Sequence, residues 1–452
     1  MHTLDQLRSG QLHGISRVNL TASGLEDFPL ELFDLADSLE ILDLSHNHLS
    51  TLPDELPQLH RLKVLFLNHN QFQTVPAVLA ECPTLSMIGF KANRLTTLPE
   101  NALPLHTRWL ILTDNQLETL PRSMGTLRHL QKLMLAGNRL RALPEEMAAC
   151  LNLELIRLAA NQLQELPGWL LTLPRLAWLA YAGNPFCAGW HPATQAGITL
   201  PIVDWDDLGV GEVLGQGASG VISKGLWKTH QDEIDVAIKL FKGDITSDGY
   251  PADEIRACLA AGSQTNLISP IGQVVNQPEG QQGLVFPLVP SNFRNLGGPP
   301  SLESCTRDTY PEHLTVSLPT IMHIAVDIAA AVTHLHQRGI LHGDVYAHNT
   351  LINEAGLALL GDFGAASFYP HQSEFLGPAL EQIEVRAFGC LLEDLLNRCP
   401  SPANAEQMAT THALRQLQQS CMRPTPQMRP LFGEISQRLM EIQAKSTSLV
   451  FC

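Results

Sequence analysis

Leucine recurs through the first 190 residues in the frame Leu-x-x-Leu-x-Leu-x-x-Asn, as in Leu39-Glu-Ile-Leu42-Asp-Leu44-Ser-His-Asn47 and Leu130-Gln-Lys-Leu133-Met-Leu135-Ala-Gly-Asn138. The closing residues are Asn47, Asn70, Asn93, Asn115, Asn138, Asn161 and Asn184, spaced by 23, 23, 22, 23, 23 and 23 positions. Leucines at alternate positions predict a short strand with one apolar face, and a constant period of this size predicts a stacked array rather than one continuous sheet protein. An apolar residue followed by proline marks the far side of each turn, from Phe28-Pro29 to Leu166-Pro167. Near residue 185 the period stops. Leu208–Leu214, Val236–Lys239 and Leu284–Val289 then read as strands, and the apolar spacing of Ile321–Gln337 predicts a helix.

The frame resembles the leucine-rich repeats, with about eight units once the weaker one around Val18-Asn-Leu20 is included. The asparagines are expected to be structural, each bonding turn backbone that burial would otherwise leave unpaired. Outward-facing strand positions include Phe66, Met87, Trp109, Ile111, Met134 and Trp178, an apolar row for a surface expected to meet water. A protein partner on this concave face is the expectation, and the chain's own second half is one candidate. Asn184-Pro-Phe-Cys187 and the residues up to Pro201 read as a cap.

Composition narrows the class. A chain of 452 residues exceeds one hydrophobic core, and a 44% hydrophobic content suits a folded protein. No apolar run approaches the roughly 20 residues of a bilayer span, and the N-terminus lacks a signal-peptide pattern. Nine scattered cysteines without metal-ligand spacing point to free thiols in a reducing compartment, hence a cytoplasmic location. The net charge of −16 is concentrated after residue 200, where 15 basic groups face 27 acidic ones, so nucleic acid is not an expected partner.

The second half carries six short motifs in one order: Gly215-Gln-Gly-Ala-Ser-Gly220-Val221, Val236-Ala-Ile-Lys239, Glu254, His342-Gly-Asp344 with Asn349, Asp362-Phe-Gly364, and Ala379-Leu-Glu381. A glycine loop lets backbone approach phosphate oxygens, a lysine supplies a point charge, and oxygen side chains suit magnesium. Over residues 205 to 440 the chain resembles the protein kinases. The resemblance implies ATP as phosphoryl donor, with Mg2+, or Mn2+ in its place. It assigns Gly215, Gly217 and Gly220 to the phosphates, Val221 to the adenine, Lys239 to the α- and β-phosphates, and Glu254 as the partner of Lys239, with Asp253 the alternative. Phe286 falls at the gatekeeper position and Leu288 in the hinge. Asp344 and Lys239 are the expected catalytic residues, Asn349 and Asp362 the metal ligands, and His342 a packed structural residue. Arg429 matches the arginine that pairs with the Glu381 position.

Three positions depart from the kinase pattern. Gly343 stands where many kinases have arginine, which removes the usual clamp for a phosphorylated activation segment. Contact with the repeats could replace it, although Ser367, Tyr369 and Ser373 lie in that segment. Tyr346 occupies the place of a lysine near the γ-phosphate, with His348 or a second metal as possible compensation. The span from Asp362 to Glu381 is short. The expected architecture is an α/β leucine-rich-repeat solenoid over residues 1–200 followed by a bilobal α+β protein kinase fold over 205–445. The expected activity is transfer to protein hydroxyls, serine or threonine by similarity. A nucleotide-binding pseudokinase adaptor is the alternative.

Overall fold

The structure, a computed structural model, describes residues 1–190, 200–217, 219–229, 232–243 and 245–448. Ala218 of the glycine loop and residues 191–199 of the expected cap lie outside the described residues. The chain divides into two compact units, one of residues 1–176 with 184–186, the other of residues 177–183 with 187–452.

The first unit opens with helix α1 (Leu4–Arg8), capped by the Thr3 side chain. Three-residue strands follow at the repeat period: β1 (Arg17–Asn19), β2 (Ile41–Asp43), β3 (Val64–Phe66), β4 (Met87–Gly89), β5 (Trp109–Ile111), β6 (Lys132–Met134) and β7 (Leu155–Arg157). They pair in parallel and in sequence order. The frame leucines form the core: Leu42, Leu65, Leu110 and Leu133 are all fully buried. Proline precedes most of the short 3-10 helices on the return side, as at Pro76 and Pro144, where its fixed φ suits an extended residue leading into a turn.

The ladder asparagines bind backbone on both sides. Asn138 Nδ2 donates to the carbonyls of Leu112 and Leu135 at 2.9 and 3.0 Å, and its Oδ1 accepts from the Leu117 amide at 3.1 Å. The residue before each asparagine turns left-handed, as at His46, His69, Ala92, Asp114 and Ala160, a feature that the leucine frame alone does not announce. Asn138→Ala leaves the Leu117 amide unpaired, while the Leu112 and Leu135 carbonyls keep the Asn115 and Asn161 side chains as donors, so a loss on the order of 2 kcal/mol in the stability of this unit is expected. Denaturant unfolding followed by circular dichroism measures it.

The apolar row is less open than its sequence suggests. Met87, Met134 and Leu155 keep 4%, 9% and 3% of their surface, and Phe66, Trp109 and Ile111 are half-buried. Parallel strands set side chains of successive repeats about 4.8 Å apart, so they shield one another. The Lys132 ammonium lies 4.2 Å from the centre of the Trp109 ring, and the Phe66 ring crosses Gly89 so closely that a Cβ there would sit 2.8 Å from Phe66 Cδ1.

The second unit includes β8 (Trp178–Ala180), which in sequence is the strand of the last repeat. Its main sheet contains β9 (Ile202–Asp204), β10 (Leu208–Gln216), β11 (Gly220–Lys228), β12 (Glu233–Phe241), β13 (Gly272–Val275) and β14 (Gly283–Pro287), in the order β10-β11-β12-β14-β13-β9. Strand β9 pairs in parallel with β13, so this sheet begins before residue 205. Helix α2 (Pro251–Ala261) starts on a proline and stops at Gly262, whose φ is +63°.

Beyond the hinge lie β15 (Arg294–Asn295), helix α3 (Leu318–His336), β16 (Ile340–Leu341), β17 (Thr350–Ile352), β18 (Ala358–Leu360) and β19 (Ser367–Phe368). Helices α4 (Leu376–Leu396), α5 (Ala405–Cys421) and α6 (Phe432–Ser448) complete the unit. Helix α3 has 19 residues and a mean hydropathy of 1.4, long and apolar enough to cross a bilayer by those measures. Ile321, Ile324, Ile328, Val332 and Leu335 bury its apolar face in the unit's core. The eight described cysteines are free thiols.

Candidate active site

A cleft of about 490 Å³ opens between the main sheet and the β15-β17-β18 sheet of the second unit. Gly215, Gly217, Lys239, Glu254, Phe286, Leu288, Asn349 and Asp362 all line it. Lys239 is positioned by the middle of the sheet, where β12 pairs it with Ile222 on one side and Leu284 on the other.

Glu254 lies in the first turn of α2 and contacts the Lys239 ammonium through Oε1. Asp362 Oδ1 is 3.4 Å from the same nitrogen. Lys239 and Glu254 are 5% and 3% exposed, whereas the Asp362 side chain keeps 46% of its surface open at the cleft. The alternative Asp253 instead contacts Arg256, one helical turn on, so Glu254 is the lysine's partner. Burial disfavours a charged Lys239, but the Asp362 and Glu254 carboxylates reverse this and hold its pKa above the usual value. Burial pushes Glu254 up to about 7, and the ammonium pulls against that shift.

Asp362 has a φ of +58°, uncommon for a residue with a side chain, and its Oδ1 accepts the Gly364 amide at 3.2 Å. Enclosure by the cleft walls raises the pKa of its carboxyl, but the Lys239 charge and the Gly364 amide outweigh it and the net shift is downward.

Asp344 is tied to Asn349, whose Nδ2 donates to the Asp344 carbonyl at 3.0 Å and to its Oδ2 at 3.1 Å. That leaves Asn349 Oδ1 as the atom suited to a cation. His342 is fully buried; its Nε2 meets the Gly361 carbonyl at 3.0 Å and its Nδ1 accepts the Asp344 amide at 3.3 Å. Because a carbonyl only accepts and an amide only donates, the Nε2-H tautomer is fixed. His342 thus links Asp344 to the residue before Asp362, the packed role expected of it. Glu384 holds the same loop from α4, accepting the Gly343 amide at 2.6 Å, the His342 amide at 3.3 Å and His336 Nε2 at 2.7 Å.

Several expectations shift. Val221 does not line the cleft; Ile222 does. Side chains alternate along β11, so the residue paired with Lys239 faces the cleft and its predecessor faces away. Gly220 also lies outside the lining: a Cβ there would meet the Leu240 carbonyl oxygen at 2.4 Å, so its glycine permits close strand approach. Nothing lies within 4 Å of a Cβ at Gly215 or Gly217, so the protein itself does not demand glycine there. Glu381 makes its contacts with the Tyr369 hydroxyl at 2.7 Å and with His336 Nδ1 at 3.4 Å. Arg429 donates to the carbonyls of Arg423 and Gln382, in place of the pairing expected with Glu381.

Tyr346 turns out of the cleft and its hydroxyl donates to the Thr306 carbonyl at 2.9 Å. Asp308, in the same segment, accepts the Ala347 amide and bonds His348 Nδ1, both at 2.6 Å. His348 lines the cleft, and its pKa is raised: burial opposes the charge, but the Asp308 hydrogen bond and carboxylate outweigh it. The segment containing Thr306 and Asp308 therefore braces the loop that carries Asp344 and Asn349.

His336 offers a pH test of this core. Burial alone would lower its pKa, but Glu381 and Glu384 raise it to about 9. The folded state then binds the proton more tightly than the unfolded chain. Its stabilisation is complete below about pH 6.5 and lost as pH rises through about 9, an effect on the order of 3 kcal/mol. Urea unfolding of the wild type between pH 6 and pH 10 should show this loss, and His336→Gln should flatten it.

Comparison with known proteins agrees with both halves. Residues 208–386 match the family described as protein tyrosine and serine/threonine kinase. Leucine-rich repeats match residues 13–95 and 106–186 in overlapping segments. The second half of the chain is a protein kinase domain. The kinase domain is similar to the tyrosine-protein kinase receptor TYRO3 of Danio rerio, 26% identical over 281 residues, which cover 53% of this chain and 32% of the receptor. Fibroblast growth factor receptor 1 of Xenopus laevis is 22% identical over 293 residues, covering 54% and 36%. A probable serine/threonine-protein kinase of Dictyostelium discoideum is 24% identical over 282 residues, covering 53% and 28%. The chain spans about a third of the length of these relatives.

Proposed function

We propose that the chain is an ATP-dependent protein kinase that transfers the γ-phosphoryl group to protein hydroxyls, those of serine or threonine first. The observation that carries this reading is the convergence on one cleft of the Lys239–Glu254 pair, Asp362 and Asn349, with Asp344 hydrogen-bonded to Asn349. Lys239 neutralises phosphate charge and Glu254 holds it in position. Asp344 orients the acceptor hydroxyl and takes its proton as the oxygen attacks phosphorus, while the bond from phosphorus to the ADP oxygen breaks.

Among the described residues no group of three or more His, Cys, Asp or Glu side chains forms a metal site by itself. Asn349 Oδ1 and the Asp362 carboxylate are a hard-oxygen half-site of the kind Mg2+ completes with phosphate oxygens and water. Once bound, the ion would supply charge neutralisation to the phosphates. The repeats are read as the protein-binding part, for a substrate, a regulator or the kinase domain of the same chain. The acidic balance argues against nucleic acid, and the free thiols suit a reducing, cytoplasmic setting.

A second reading is a nucleotide-binding adaptor without transfer. The burial of Tyr346 away from the cleft favours it, because that position then brings no cation to the γ-phosphate. Radiolabel transfer from γ-labelled ATP with Mg2+ or Mn2+, to the chain itself and to generic protein acceptors, separates the two. Label on serine or threonine supports the kinase. Nucleotide binding without any transfer supports the adaptor.

A further inference from the structure

Residues Ala177–Gly183 are the strand and turn of the last repeat by sequence, yet they form part of the kinase unit. Their contacts reach three separate parts of it. At the catalytic loop, the Trp178 indole stacks on Tyr346 with ring centres 4.4 Å apart and planes 5° from parallel, and Trp178 Nε1 donates to the Val345 carbonyl at 3.3 Å. At the activation segment, the Tyr181 amide donates to Ser367 Oγ at 3.1 Å and the Tyr181 hydroxyl to the Phe368 carbonyl at 3.2 Å. At the start of α2, Gly183 comes so close that a Cβ would meet Asp253 Oδ2 at 2.8 Å and the Tyr250 ring at 2.9 Å.

This segment also accounts for two departures from the kinase pattern. Gly343 has a φ of +75°, and a Cβ on it would meet the Ala365 carbonyl oxygen at 2.5 Å and the Leu179 carbonyl oxygen at 2.9 Å. No arginine fits where Leu179 now lies. Tyr346, in the place of a lysine, supplies the ring on which Trp178 stacks. Phosphorylation has little access at Ser367 and Tyr369, which are each 1% exposed with both hydroxyls hydrogen-bonded.

The geometry points to Trp178 and Tyr181 as positioning residues: the segment 177–183 is a built-in clamp that sets the catalytic loop, the activation segment and the start of α2 in one arrangement without phosphorylation. It acts on Asp344 through Val345 and Tyr346, and on Glu254 through its neighbour Asp253. The inference rests on the reading of the chain as a kinase. Its contacts are aromatic stacking and hydrogen bonds between groups removed from water, where misplacement of a reacting group costs most.

The test uses the full chain with Trp178→Ala, Trp178→Phe and Tyr181→Phe, none of which alters a cleft residue. Three quantities are measured: steady-state transfer, affinity for a fluorescent ADP, and hydrogen exchange at residues 343–349 and 365–369. Trp178→Ala is expected to lower kcat about 10-fold with the KM for ATP and the ADP affinity unchanged. Exchange in both segments should quicken. Trp178→Phe keeps a ring to stack and should recover most of the rate, and Tyr181→Phe should quicken exchange chiefly at 365–369.

Unchanged kcat and exchange in Trp178→Ala and Tyr181→Phe overturn the clamp. So does a parallel fall of kcat, ADP affinity and thermal stability that Trp178→Phe does not relieve, since that is loss of fold. If the wild type transfers nothing, the kinase reading fails and exchange alone decides the clamp: quickened exchange upholds it and unchanged exchange overturns it.

Discussion

Asp344→Asn is expected to lower kcat for phosphoryl transfer about 10³-fold, within the range by which a positioned proton acceptor accelerates a reaction. The KM for ATP should hardly move. Asparagine has nearly the shape of aspartate, and its Oδ1 can still accept from Asn349 Nδ2, which sits 3.1 Å from Asp344 Oδ2. The backbone carbonyl of residue 344 keeps its own bond to Asn349, and the loop stays anchored through His342 and Glu384. The change therefore removes proton acceptance and one negative charge while leaving the scaffold. Initial rates with γ-labelled ATP, beside ADP affinity, measure both. A variant that transfers label at the wild-type rate would place the chemistry elsewhere and remove Asp344 from the mechanism.

How far this site could be read from sequence depends on what fixes each residue. Lys239, Asp344, Asn349 and Asp362 are set by charge and oxygen chemistry that few other side chains supply, so their types and order are visible along the chain. Ile222 was missed for Val221 because a one-residue slip along a strand changes which face a side chain occupies. The sheet neighbours that set the register are absent from the local motif. Glu381 and Arg429 show a similar limit: a family pairing identifies two residues, but the burial of His336 beside two carboxylates redirects Glu381.

Other contacts leave no local trace. Asp308 grips the amide of Ala347 and the ring of His348, a link over some 40 positions that no periodicity signals. The repeat array was the most legible part, since each asparagine sees the same backbone groups at every period. That regularity also concealed something. Trp178 obeys the repeat frame while its ring serves the catalytic loop, and nothing in the frame distinguishes it from Trp109. One strand answers to two patterns at once, and only the repeat is periodic enough to be read.

The second large effect concerns Lys239. Lys239→Met is expected to lower transfer about 10²-fold or more, because the methionine has no charge to stabilise the phosphates as the bond to phosphorus is exchanged. It should also destabilise the kinase unit. Glu254 is 3% exposed, and removing the partner of a buried ion pair costs about 3–5 kcal/mol when the remaining charge stays buried. Here the loss should fall at the lower end, since burial already brings Glu254 to about 7 and a proton can replace the lost ammonium.

Glu254→Gln is the milder change. Lys239 retains Asp362 3.4 Å away and can swing toward it, so transfer should fall only about 10-fold, through misplacement of the ammonium rather than its loss. The double variant separates the two effects. Without Glu254 there is no buried carboxylate to leave unpaired, so Lys239→Met with Glu254→Gln should be more stable than Lys239→Met alone and no more active. Thermal unfolding with and without ADP, alongside transfer rates, tests this. Equal stability of the double and single variants would mean that the Lys239–Glu254 contact contributes little to the fold, and wild-type transfer by Lys239→Met would dissociate the pair from the reaction.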